Sequence, residues 1–92
     1  MQNMVKSLSS KSAQGRISAE LLRMASPMAG SSEHLYIRPS PRLVKMAQRL
    51  NISRETVSRT VNSMQKKGIL KRDIGMLIIQ QPKKLQAYSI DN

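Results

Sequence analysis

From residue 53 to residue 62 the chain reads Ser-Arg-Glu-Thr-Val-Ser-Arg-Thr-Val-Asn. Wound as a helix at 100° per residue, it brings Arg54, Glu55, Ser58, Arg59 and Asn62 into one arc of roughly 140°. Val57, Val61 and Met64 fall on a different side. Nearly all of the polar arc suits hydrogen bonding to the edges of nucleobases. An arginine can donate to O6 and N7 of guanine together, and a glutamate can accept from the amino group of cytosine. A carboxylate facing a phosphate polyanion is unfavourable unless it meets a donor. Glu55 among arginines therefore points to sequence reading over indiscriminate charge binding. Two local roles weigh equally and can coexist with it: favourable charge at a helix N-terminus, or an ion pair with Arg59 four residues on.

The elements around this stretch must hold it. Ser53 is a capping residue, and the spacing predicts a helix from Arg54 to about Lys67, with Gly68 as its stop and Lys66 and Lys67 suited to its C-terminal dipole. Leu43, Met46, Ala47 and Leu50 predict a preceding helix from about Pro41 to Leu50, with Ser40 as cap and Asn51 as terminator. Two helices separated by three residues have helix-turn-helix spacing. Upstream, Ala13, Ile17, Leu21 and Met24 mark a helix over Ala13–Ala25, ended by Ser26-Pro27. Met28 to Glu33 reads as an exposed loop and His34–Ile37 as an edge strand, with His34 exposed. Downstream, Ile69–Arg72 and Met76–Ile79 flank Asp73-Ile74-Gly75 and predict a basic hairpin, a wing. Pro82 to Tyr88 reads as a closing helical turn through Leu85 and Tyr88, although Lys83 and Lys84 oppose its dipole. Met28, Met46, Met64 and Met76 read as core filler or partly exposed apolar groups. The fold class is mainly α with a small antiparallel hairpin, a winged helix-turn-helix over residues 13–88. Residues 1–12 form a linker and 89–92 a tail.

Composition narrows the partner. The 92 residues carry 16 Lys and Arg against 5 Asp and Glu, a formal charge of +11. Twelve of those cations lie between Arg38 and Lys84, against Glu55 and Asp73 alone. So dense an excess favours a polyanion partner through steering and counterion release. The only aromatics are Tyr36 and Tyr88, whereas single-strand binders stack bases on rings; duplex DNA is favoured. Arg42, Lys45 and Arg49 on the first helix of the pair, with Lys71 and Arg72 on the wing, are candidate phosphate contacts. Each alone reads equally well as a solvated charge; as a cluster they point to phosphates. Asn62, late on the arc, joins them.

Ile52 to Arg59 resembles the recognition helix of the catabolite activator protein/FNR family of bacterial transcription regulators. Gly15 to Ala25 resembles the first helix of that family's winged-helix domain, and Lys67 to Arg72 its approach to the wing. The likeness runs from about Leu8 to Tyr88. It implies that Arg54, Glu55 and Arg59, with Ser58 beside them, read a TGTGA-like half-site, and that Ser53 and Thr56 sit near phosphates. It also implies a homodimer on an inverted repeat, with RNA polymerase as a further partner. A family effector such as a cyclic nucleotide would bind a domain for which 92 residues leave no room, so no cofactor is expected on this chain. Residues 1–12 would then be the stub of a dimerisation helix, and the fragment mostly monomeric. Asn51 stands where glycine is common. Arg42 stands where the family has a Ser or Thr cap, which can shift that helix start by one or two residues.

Other classes find little support. No cysteine is present, which excludes disulfides, thiolate metal sites and an iron–sulfur switch, and His34 is the only histidine. No catalytic constellation, phosphate-cradling glycine loop or secretory signal is visible, which predicts a non-enzymatic cytoplasmic protein that does not enter the membrane. The alternative function is a winged-helix protein-interaction module with weak or non-specific DNA binding.

Overall fold

The computed structural model describes residues 12–31 and 33–90. Helix α1 (Ala13–Met24) starts at Ser12, whose hydroxyl accepts from the Gly15 N–H at 3.0 Å. It buries Ile17 and Leu21 completely. The helix stops at an extended Ala25, because Pro27 lacks an N–H and disfavours the helical region for Ser26 before it. Ser26–Pro27 then forms a two-residue strand, β1, a place where proline is tolerated because it lies at a sheet edge.

The sheet has the order β1-β2-β4-β3, all antiparallel, with β2 at Leu35–Ile37, β3 at Leu70–Asp73 and β4 at Met76–Ile79. Here the expectation of an edge strand at His34–Ile37 is corrected. Leu35 and Tyr36 pair with Pro27 and Ser26 on one side and with Ile79 and Ile78 on the other. Ser26-Pro27 is a helix stop and also the strand that covers this edge. His34 is half-buried rather than exposed, and its carbonyl accepts from the Met28 N–H at 3.1 Å.

Helix α2 covers Leu43–Leu50, two residues shorter at its start than a Ser40–Pro41 cap predicts. The Ser40 N–H donates to the Gly75 carbonyl at 3.1 Å, so this segment is an extended strap tied to the tip of the hairpin. Arg42 takes the N-cap position without a side-chain capping bond. At the other end Asn51 adopts the left-handed conformation (φ 57°, ψ 46°), as its residue type allows.

Helix α3 (Arg54–Lys66) buries Val57, Val61 and Met64 and ends at Lys67 and Gly68, the latter with φ of 76°. Asp73 belongs to β3 and pairs with Met76, leaving a two-residue turn, Ile74-Gly75, instead of the three-residue loop expected. The closing turn is a full helix, α4 (Pro82–Ile90), so the boundary of the proposed tail moves: Ser89 and Ile90 are helical. Leu85 of α4 is fully buried, and this helix packs chiefly against α1. Met46 and Met64 are core residues, while Met28 and Met76 are half-buried. The expected stub before Ser12 lies outside the described residues.

One carboxylate lies within this frame. Glu20 on α1 is only 8% exposed and accepts two hydrogen bonds from Arg23, at 2.7 and 3.1 Å, with Arg49 of α2 at 3.3 Å. The bonds from Arg23 hold its carboxyl below the usual glutamate value against the opposing effect of burial, and the charges of Arg23 and Arg49 add to this. A carboxylate with a depressed folded-state pKa contributes stability above its unfolded value, which is lost as pH falls through the folded one. In urea titrations, stability should therefore drop as pH falls below about 4.3, and Glu20→Gln should flatten that part of the profile.

Candidate nucleic-acid interface

The outer arc of α3 lies as the spacing predicts. Arg54, Glu55, Arg59 and Asn62 are exposed and Ser58 is half-buried, while the valines and Met64 anchor the opposite side. Arg54, Glu55, Ser58 and Arg59 together line one open surface depression. Among the described residues Glu55 has no ion-pair partner. The i,i+4 pair with Arg59 is therefore not formed, and the acceptor capacity of Glu55 is available beside two guanidinium groups.

At the start of the helix Ser53 has two bonds to Thr56. Its Oγ accepts from the Thr56 N–H at 3.1 Å, and its hydroxyl donates to Thr56 Oγ1 at 2.8 Å. Ser53 is thereby spent on capping, and Thr56 keeps a hydroxyl proton with which to meet an anion at the helix N-terminus.

The candidate phosphate contacts divide. Arg42 and Lys45 are exposed, and among the described residues neither has an acidic partner. Arg49, though 62% exposed, is engaged by Glu20. Lys71 and Arg72 are adjacent in a strand, so the pleat sends them to opposite faces of the sheet. Arg72 Nε donates to Gln65 Oε1 of α3 at 3.4 Å, which holds this wing cation beside the end of the reading arc. Lys71 lies on the other face with Ile78 and Tyr36, where the Arg38 guanidinium stands 5.9 Å from the Tyr36 ring centroid.

Two further groups were not singled out from the sequence. Gln65 falls about 20° from Arg54 on the helical wheel, so the wheel carried the signal. Gln14 of α1 joins Thr56, Arg59, Thr60 and Ser63 of α3 around a second depression, and only the packing of α1 on α3 brings them together. Among the described residues no cluster of three His, Asp or Glu side chains gathers that could hold a metal ion, and no helix is long and apolar enough to cross a membrane.

This geometry has a counterpart in known proteins. Residues 15–88 match the Crp-like helix-turn-helix domain. The chain belongs to that family. It is a DNA-binding domain of the transcription-regulator type, with the winged architecture expected of it, and the family is not one of enzymes. No curated protein matches the sequence. Among solved structures, a CRP/FNR-family transcriptional regulator from Thermus thermophilus superposes with a TM-score of 0.72 at 17% identity, over 98% of this chain and 46% of that one. The CO-dependent transcription factor CooA from Carboxydothermus hydrogenoformans gives 0.71 at 23% identity, over 94% and 40%. The CO-sensing protein from R. rubrum gives 0.68 at 20% identity, over 95% and 41%. At these identities the likeness is one of fold, and this chain spans less than half the length of each.

The Ser53 cap should be measurable on its own. Ser53→Ala removes the acceptor for the Thr56 N–H and should cost about 1 kcal/mol of stability, read as a lower thermal midpoint by circular dichroism.

Proposed function

We propose that α3 enters the major groove of duplex DNA and reads a TGTGA-like half-site through Arg54, Glu55 and Arg59, with Ser58 assisting. The observation that carries this reading is the exposed arc on which two arginines flank a carboxylate, unpaired among the described residues, over a single depression. Arginine suits the guanines of such a site, and Glu55 suits a cytosine on the complementary strand. Thr56, with Ser53 holding it, would meet phosphate at the helix start; Arg42, Lys45, Asn62 and Arg72 would add backbone contacts. Lys71 would reach a phosphate only from the opposite face of the wing, and Arg49 only by sharing itself with Glu20.

In a longer protein two such domains would bind an inverted repeat as a homodimer, with half-sites about 34 Å apart along the duplex. RNA polymerase would be the further partner of that assembly, and any effector would bind another domain.

Selection of bound sites from a random duplex library supplies the test sequence. Arg54→Ala and Arg59→Ala should each lose about 1–3 kcal/mol of preference for the selected site over a scrambled one. Lys45→Ala should weaken both duplexes alike and lower the salt slope by about 1. Arginine variants that keep the wild-type preference would show that α3 does not read bases, and no binding to any duplex at low salt would favour a protein-docking module.

A further inference from the structure

Two side chains one turn apart on α1 grip the last turn of α2. The Arg16 guanidinium donates to the Leu50 carbonyl, and Glu20 pairs with Arg49, the residue before it. The final four carbonyls of a helix have no partner inside it. In α2 the Ala47 carbonyl accepts from the Ile52 N–H at 3.0 Å and that of Gln48 from the Asn51 N–H at 3.3 Å; Arg16 serves the last one. A cation suits that end of the helix dipole. Three residues later Ser53 caps α3, so the place of Leu50 sets where the reading helix begins.

Other contact between α1 and α2 is sparse. Apolar packing is non-directional and tolerates rotation of one helix on another, whereas hydrogen bonds to a carbonyl and a carboxylate fix direction. Bonds to base edges need their groups placed within about 0.5 Å. Flexible cations on phosphates carry no such demand, and phosphate contacts carry most of the non-specific affinity.

We propose that Arg16 and Glu20 are positioning residues for base reading: the clamp sets the angle at which the turn delivers Arg54, Glu55 and Arg59, and so governs discrimination between sequences more than total affinity. This rests on the proposed reading of DNA by α3.

The test compares the full 92-residue chain with Arg16→Ala, Glu20→Gln and, as a stability control, Ile79→Val, a fully buried position in β4 that makes no bond to either clamp side chain. Affinities for the selected duplex and a scrambled duplex are measured at a temperature where circular dichroism shows every variant folded. Arg16→Ala should lower the ratio of the two affinities about tenfold, with scrambled-duplex binding within about twofold of wild type. Glu20→Gln, which also frees Arg49 for phosphate, should lower the ratio in the same direction while scrambled-duplex binding holds or rises. Ile79→Val should lower the thermal midpoint and leave the ratio unchanged. If Arg16→Ala does not fold, Glu20→Gln decides alone. A preference that survives the clamp variants, or falls equally in Ile79→Val, overturns the clamp. A wild type without preference sinks the reading by α3, and the clamp's role with it.

Discussion

A helix that offers one side to a charged, wet surface must be held by the other, and α3 has only three apolar residues with which to do it. Val57, Val61 and Met64 are all fully or almost fully buried. Their spacing leaves the opposite arc polar without a break, and α1, α2 and β3 receive that narrow stripe. α2 and α1 meet α3 along its length, and β3 leaves from its C-terminal end. Because the anchoring stripe is so thin, polar bonds at the helix ends carry much of the directional information: Ser53 at the start, Asn51 and Arg16 in the turn before it, Gly68 after it.

Much of this was legible in the sequence, and for identifiable reasons. Capping residues and apolar periodicity are local signals, so the extents of α1 and α3, the left-handed Asn51 and the existence of the hairpin follow directly from residue types. The exposed arc follows from helix geometry alone. What escaped depended on partners distant in sequence. Ser40 is a good cap in isolation, yet its N–H is taken by Gly75, and α2 begins later. Ser26-Pro27 breaks a helix locally, and only the return of the chain at Leu35 makes it a strand. Lys71 and Arg72 look like one basic patch until the pleat separates them.

The same distinction applies to the charges. A count of cations describes the field a polyanion meets at a distance, but it does not say which cations are free at contact. Arg16, Arg23 and Arg49 serve α1 and α2, and Arg72 leans on Gln65. Arg54 and Arg59 have no such ties among the described residues. The side chains that would contribute specificity are thus those the fold leaves unemployed, while the ones it employs hold the scaffold in register.

The bond between Ser40 and Gly75 has a mechanical side. It braces the tip of the hairpin against the strap that leads into α2, so the wing is not a flap hanging from one hinge. A body braced in this way presents a nearly fixed relief, with the arc of α3 and the hairpin at a set separation. Any surface it grips has to accommodate that relief. In the proposed complex the work of bending and groove widening would then fall to the duplex, and sequences that deform cheaply would gain an advantage even at positions no side chain touches.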